Sequence, residues 1–423
     1  MSQDALVLAA GSVVLLVKND QLHRLINPKA SSSGDSKVLT MAVSPDDELV
    51  LAAYSDKTVV CWDTSNKRVV ATGTLAKRAC GMACGLVEAN QVGKQQGKYI
   101  LSVVDKQGEI HCANAVKLDS WVPMGGHTSS VITDMQIILE GSLLATADRD
   151  EKIRISRFPE LFHISGYCMG HTSVVSTLCE ATTSSSRRLL VSGGWEHKLC
   201  VWDATEGKLV SSTNTRSSKG EEKPKEGGEK DSFPEEGGDE KNEEEEEEEA
   251  EKTYDAKAAG EFPSKVRSTR IEGQDGDLVL VSFNESPALN VYTLSSEGEL
   301  VLETSYEAPA PVVDFACLST GRIVVLLPGS HQLQVLGLTA STTIKIAPVE
   351  QTSKAFLDLM EACETLQVDF SQQQYSMESG GEGQHSGGGA IREKHVIKRS
   401  FHAMIRGEPG TLERKDKGAK AKK

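Results

Sequence analysis

Two histidines stand where polar side chains could work together. His127 and His171 each follow a glycine, in GGHTSSV and MGHTSVV, and each is followed about twenty residues later by a hydroxyl residue, Thr146 or Ser192. An acid lies just beyond each hydroxyl, Asp150 or Glu196, and Trp202 follows the second. Hydroxyl, imidazole and carboxylate can bond in series. No set of catalytic residues completes the picture, because the histidines lie far apart and the chain offers no acid pair, no nucleophile elbow and no metal set. Cys80 and Cys84 are four apart with no second Cys/His pair to make a zinc site. The glycines of SGGEGQHSGGG follow no strand and open no helix, so they read as a linker and not as a phosphate loop.

A second constellation is the run LLATADRDEKIRISR, Leu143–Arg157. It reads as a buried strand, a tight Asp-rich turn and a half-buried strand of period two. Asp150 is assigned to the scaffold. Arg149, Glu151, Lys152 and Arg154 then form a compact patch carrying both signs of charge. On a rigid edge such a patch suits a protein partner better than a phosphate backbone. The residues alone leave two readings open, partner contact and plain solvation.

The elements that position these groups repeat. Val38–Asp63 reads strand, SPDD turn, strand, SDKT turn, and a strand ending in Trp62-Asp63. Looser copies run over Cys80–Asn114 and Gly126–Arg157, and a fuller one over Gly170–Asp203, closing LLVSGGWEHKLCVWD. Weaker copies follow around Leu280–Leu294 and Ala310–Leu338. Units of roughly 40–45 residues with four strands and GH and WD signatures mark an all-β, WD-repeat β-propeller. In a complete repeat the GH histidine, a Ser/Thr, the turn acid and the Trp bond in a chain that locks the blade. His127, Thr146 and Asp150 fill three places, with Ser156 where Trp is expected. His171, Ser192 and Trp202 fill three, with Glu196 for Asp. Asp56 and Trp62 fill two in the first copy. Strands at Leu6–Ala9, Val13–Val17 and His23–Ile26 are left over; with a strand from Thr365–Phe370 they would close a seventh blade and remove a sheet edge. Six blades with a decorated N-terminus is the alternative.

The propeller is expected over 1–211 and 263–370. Residues 212–262 carry 19 acidic against 8 basic side chains, net −11, and cannot bury enough apolar surface to order themselves. Solubilisation or binding of a basic protein are their readings. Ser353–Cys363 has helical spacing of Phe356, Leu357 and Met360, with Ser353 as its cap. Residues 371–423 are expected to be a flexible tail, Gln/Ser/Gly-rich and then basic, with 11 Lys/Arg against 4 Asp/Glu from Ile391 onward. That end could serve nuclear import, loose RNA contact or solubility.

With a formal net charge of −15 the whole chain is no simple nucleic-acid binder. The nine cysteines, an odd number set mostly in apolar runs, read as small buried hydrophobes in a reducing compartment. ALVLAAGSVVLLVKND lacks a basic leader and is broken by Gly11-Ser12, so neither a signal nor a membrane span is expected. The nucleus is the expected location, with the cytoplasm as the other candidate.

ATADRDEKIRIS, followed closely by CMGHTSVVS, resembles the WD-repeat non-catalytic subunit of the tRNA (guanine-N7)-methyltransferase. SPDDELVLAAYSDKTVVCWD and the position of the charged insert are similar too, and the resemblance covers roughly residues 1 to 340. It implies a seven-bladed propeller without catalytic residues, paired with a Rossmann-type methyltransferase subunit. That partner binds S-adenosylmethionine and methylates N7 of a guanosine in the tRNA variable loop. The propeller would stabilise the partner and help place tRNA, binding no cofactor, membrane or small-molecule substrate itself. The resemblance places the interface at Glu151, Lys152 and Arg154, with Arg149 nearby, through ion pairs such as Arg154 to a carboxylate of a partner helix. The competing expectation is a generic WD adaptor, either a ubiquitin-ligase substrate receptor or a histone-binding propeller.

Overall fold

The computed structural model describes residues 6–29, 36–87, 98–127, 130–216, 260–318, 321–328, 333–340, 343–349, 354–365, 376–378 and 396–398. Its strands form seven blades. Blade 1 holds β1 (Leu6–Ala10), β2 (Val13–Lys18) and β3 (Gln21–Ile26). Blade 2 holds β4 (Val38–Val43), β5 (Leu49–Tyr54), β6 (Thr58–Asp63) and β7 (Val69–Thr74). Blade 3 runs through β8 (Ala79–Val87), β9 (Lys98–Asp105), β10 (Glu109–Asn114) and β11 (Val122–Gly126). Blade 4 runs through β12 (Ile132–Ile138), β13 (Leu143–Asp148), β14 (Lys152–Arg157) and β15 (Ile164–Met169). Blade 5 comprises β16 (Val175–Thr182), β17 (Arg188–Gly194), β18 (Lys198–Asp203) and β19 (Lys208–Asn214). Blade 6 comprises β20 (Pro263–Thr269), β21 (Leu278–Phe283), β22 (Ala288–Leu294) and β23 (Leu300–Glu307). Blade 7 comprises β24 (Asp314–Cys317), β25 (Arg322–Leu326), β26 (Leu333–Ala340) and β27 (Ile344–Pro348).

Every blade is an antiparallel meander whose first strand is innermost. Five of those inner strands carry the same irregularity near their start, at Val38/Thr40, Ala79/Gly81, Ile132/Asp134, Val175/Thr177 and Pro263/Lys265. A recurrent bulge raises the local twist in the same place of each unit, which is how a repeated strand can splay around an axis.

The apolar residues collect in the seams between blades. Val14 and Leu16 pack with Val50 and Trp62, Leu51 with Leu101, and Val104 with Leu144. Ile153 and Ile155 meet Leu190 and Trp202, Val191 meets Val279, and Leu280 meets Ile323. The last seam sets Val324 and Leu326 of blade 7 against Leu8 and Leu15 of blade 1, so the ring is closed. Each such buried aliphatic side chain contributes about 1.5–3 kcal/mol over exposure. The six-blade alternative is thereby excluded.

Helix α1 (Lys354–Thr365) reinforces the closing seam by burying Ala355, Phe356, Leu359 and Ala362 there. Phe356 faces inward as the spacing implies, but Leu357 is exposed and Leu359 takes the inner place. Ser353 lies outside the described residues, and so does the expected closing strand beyond Thr365, which itself ends the helix. Blade 1 has three strands among the described residues. Ser376–Glu378 and Val396–Lys398 pair as a short ribbon.

The propeller extends further toward the insert than residues 211 and 263 imply. Ser211, Ser212 and Thr213 lie opposite Val201, Cys200 and Leu199 in the outermost strand of blade 5. That strand has one side in solvent, so its polar composition looks like a linker. Phe262 is fully buried, stacked on Trp195 at 4.7 Å. His197 joins the two flanks, with Nδ1 2.9 Å from the Glu261 carbonyl and Nε2 2.9 Å from Arg216 Nη2. Cys61, Cys84, Cys168 and Cys200 are buried, and burial pushes their thiols up to about 12. No helix among the described residues is long and apolar enough to cross a membrane.

Candidate partner-docking site on blade 4

Blade 5 carries the full locking chain. Trp202 Nε1 donates to Ser192 Oγ at 2.7 Å, the same oxygen lies 2.7 Å from His171 Nε2, and His171 Nδ1 is 2.5 Å from Glu196 Oε1. A carboxylate only accepts, so in the neutral imidazole Nδ1 carries the proton and Nε2 accepts from the serine hydroxyl. Glu196 does fill the place of the expected Asp.

Blade 4 has the same core with a different acid. His127 Nε2 lies 2.7 Å from Thr146 Oγ1, and Nδ1 lies 2.9 Å from Asp148 Oδ2. The scaffold acid is therefore Asp148 and not Asp150. Thr146 and Asp148 are two apart on one strand and share a face, whereas Asp150 sits in the turn. Asp150 instead meets Arg149, Nε to Oδ1 at 3.2 Å, with side chains 37% and 26% exposed. In blade 2 Asp56 is an exposed turn residue accepting from Thr58 N at 2.9 Å, and Trp62 is buried without a relay. Ala52 stands opposite Val60 there, the register that Ser192 holds opposite Cys200 in blade 5.

The charged turn is held by its backbone. Asp148 Oδ1 accepts from Lys152 N at 2.9 Å, and Arg149 N donates to Val131 O at 3.0 Å. Glu151 sits at φ +70°, in the left-handed region, so the turn is tight. Arg149, Glu151 and Lys152 are half-buried at the rim. Arg154 is apart from them. It is 8% exposed, and its guanidinium donates to Ser156 Oγ at 3.0 Å, to Leu161 O at 2.8 Å and to Gly126 O. Burial pulls its pKa below the ordinary arginine value, with the Tyr167 phenol acting weakly the other way. Arg149, Glu151 and Lys152 are thus brought together on the surface, and Arg154 is brought inside.

A feature that the residue types did not flag completes the site. On the outer edge of blade 4, Phe162, Ile164, Tyr167 and Met169 are 61, 47, 44 and 60% exposed. Met169 pairs with Lys152 and Tyr167 with Arg154, so this apolar row starts at the charged turn and runs down the blade. The signal was available in ISGYCM, whose large residues alternate with small ones on a strand that has no further neighbour.

Among the described residues one group could hold a metal ion, Asp105, Glu109 and His111. Lys77 Nζ already sits there, 3.1 Å from Asp105 Oδ2 and 2.6 Å from Glu109 Oε2, so the carboxylates have their cation.

The family model described as the tRNA methyltransferase TRM82 WD40 domain matches residues 113–344. The chain belongs to this family. The WD domain, G-beta repeat, matches residues 26–63 as well. Beside the TRM82 WD40 match stand curated relatives named tRNA (guanine-N(7)-)-methyltransferase non-catalytic subunit. The Xenopus laevis protein is 31% identical over 189 residues, covering 44% of this chain and 45% of the relative. The Dictyostelium discoideum protein is 25% identical over 213 residues, covering 48% and 45%. The Saccharomyces cerevisiae protein is 28% identical over 177 residues, covering 40% and 37%. The chain spans less than half the length of each of these relatives. Among solved structures, a chain of a crystal structure titled Mitotic Checkpoint Complex superposes with a TM-score of 0.54 at 14% identity, covering 83% of this chain and 85% of that one. This likeness concerns the fold alone.

Proposed function

We propose that this propeller is the non-catalytic subunit of a tRNA (guanine-N7)-methyltransferase, and that blade 4 receives the catalytic subunit. The observation that carries the reading is the continuity of two surfaces on one rigid blade. The charged turn Arg149, Glu151, Lys152 abuts the exposed row Met169, Tyr167, Ile164, Phe162. An apolar strip beside fixed charges of both signs is the make-up of a specific protein interface, with area supplying affinity and charge supplying register. The names of the family relatives give the partner its chemistry.

The chain's contribution is positional. It holds the catalytic subunit's active shape and helps to place tRNA, and it supplies no catalytic group. S-adenosylmethionine would bind the partner. Nuclear residence, with the cytoplasm as second candidate, belongs to the same proposal.

The test is the double reversal Glu151→Lys/Lys152→Glu, co-expressed with the catalytic subunit. Reversing a pair at an interface costs several kcal/mol where the charges are desolvated. Co-purification and N7-methylguanosine formation should both fall at least about tenfold while the melting temperature of the isolated propeller holds. Undiminished pairing would remove blade 4 from the reading.

A further inference from the structure

We propose that the closing seam of the propeller is a binding site for one small neutral molecule, an apolar chain ending in a carbonyl oxygen, and that Arg267 holds this oxygen. The seam between blades 7 and 1 is not filled by its own side chains. A cavity of about 310 Å³ opens there among the inner strands of blades 1, 2, 6 and 7. Its apolar walls include Leu6, Leu8, Val324, Leu326, Leu333 and, from helix α1, Leu359. Protein interiors are close-packed, with few voids larger than a water molecule. A void of this size falls in the range of small-ligand pockets, and apolar walls give water few partners. The pocket therefore suits a mainly apolar guest.

Arg267 supplies the polar end. Counted from the shared bulge, it stands where the inner strands of blades 2, 3, 4 and 5 carry Ala42, Ala83, Gln136 and Cys179. The repeat itself thus needs no cation at this place. The side chain is half-buried and walls both this cavity and a second one of about 240 Å³ across the inner strands of blades 2 to 6. Its Nη1 donates to the neighbouring Val266 carbonyl at 3.0 Å, and among the described residues it forms no ion pair. Most of its N–H donors are left for a guest. The charges decide which guest. Burial acts to lower the Arg267 pKa, and Asp314 and Asp134 outweigh it, so the guanidinium stays charged. Those two aspartates are the other charged residues on the walls of the two cavities, one cation against two anions. An added carboxylate would meet Arg267 but also both aspartates, whereas an uncharged carbonyl accepts from the guanidinium without that repulsion.

The seam is separate from blade 4, so pairing with the catalytic subunit plays no part in the test. Binding of radiolabelled octanamide to the full-length chain is measured by equilibrium dialysis, with octanoate as the charged counterpart. Octanamide should fill one saturable site, and octanoate should bind at least about tenfold more weakly. Two variants locate the site, each checked for folding by circular dichroism. Ala316→Phe places a ring in the cavity from its wall and should abolish binding. Arg267→Met keeps an unbranched apolar chain but removes the donors, and it should weaken octanamide about tenfold, the effect of losing one hydrogen bond to a charged group. Octanoate bound as tightly as octanamide would overturn the head-group assignment. Unsaturable uptake by the parent, or undiminished binding by a folded Ala316→Phe or Arg267→Met, would overturn the site. If Arg267→Met does not fold, Ala316→Phe still decides the place and the ratio of amide to carboxylate on the parent still decides the chemistry.

Discussion

The indole N–H of Trp202 donates to Ser192 Oγ across 2.7 Å inside blade 5, with no solvent near either group. The same oxygen serves His171, so one hydroxyl holds two buried partners. Ser192→Ala leaves an indole donor and an imidazole nitrogen unpaired. Each orphaned buried group costs about 1–3 kcal/mol, so the variant should lose about 2–4 kcal/mol. Chemical denaturation should show a lower midpoint with an unchanged slope. A midpoint within error of the parent would mean that the locking chain contributes nothing to stability.

Asp148 and Asp150 lie in one turn yet should behave oppositely. Asp148 is 1% exposed and accepts from both His127 and Lys152 N. Asp150 meets the partly exposed Arg149, and such surface pairs are worth under about 1 kcal/mol. Asp148→Ala should therefore cost about 2–4 kcal/mol, and Asp150→Ala about 0.5 kcal/mol or less. Equal losses in thermal melts of the two variants would contradict the assignment of the scaffold acid.

These two carboxylates also show what a sequence can and cannot disclose. The GH and WD spacings placed His127, His171, Thr146, Ser192 and Trp202 correctly, because each bond of the relay runs between positions fixed by the repeat. The choice between Asp148 and Asp150 needed strand alternation as well: Thr146 and Asp148 share a face, and the turn begins after them. In blade 5 the acid sits two residues later, and the longer Glu196 side chain makes up the reach. The burial of Arg154 was not legible. Its acceptors, Gly126 O and Leu161 O, come from another blade and from an irregular connection, and a charged residue in an alternating strand reads as solvent-facing until those carbonyls are placed. The outer strands escaped for a related reason. Their composition reflects one open side, so Ser212 and Thr213 fall within the stretch expected to be insert, and nothing in the residue types of ISGYCM marks its exposed row.

Asp203 gives the propeller a defined acid response. The Thr205 hydroxyl at 2.6 Å and Arg187 Nη2 at 2.7 Å hold its carboxyl down to about 2, against a usual value of 3.8. A carboxylate depressed in the folded state stabilises fully above its unfolded value, and the contribution is lost as pH falls through the folded value. Asp203 should thus supply up to about 2 kcal/mol at neutral pH, less in high salt, fading between about pH 4 and pH 2. Asp203→Asn should be less stable than the parent at pH 7 and should converge with it near pH 2. Parallel stability curves across that range would show that Asp203 does not titrate below its unfolded value.

Glu151 sets a structural preference against the proposed docking role. It occupies the residue just before the third strand at φ +70°, and the corresponding places in blades 2, 3 and 5 are also left-handed, at Lys57 (φ 72°), Gly108 (φ 81°) and His197 (φ 63°). Glycine, as at Gly108, adopts that conformation without the cost, about 1 kcal/mol, that a side chain brings. Glu151→Gly should accordingly leave the melting temperature unchanged or raise it by about 1–3 °C. It also removes one of the charges assigned to the partner, so pairing with the catalytic subunit should weaken several-fold in the same variant. A fall in melting temperature would mean that the Glu151 carboxylate holds the turn together, and full pairing would confine docking to Arg149, Lys152 and the apolar row. Opposite movement of stability and pairing is the signature of a side chain kept at a strained position for contact.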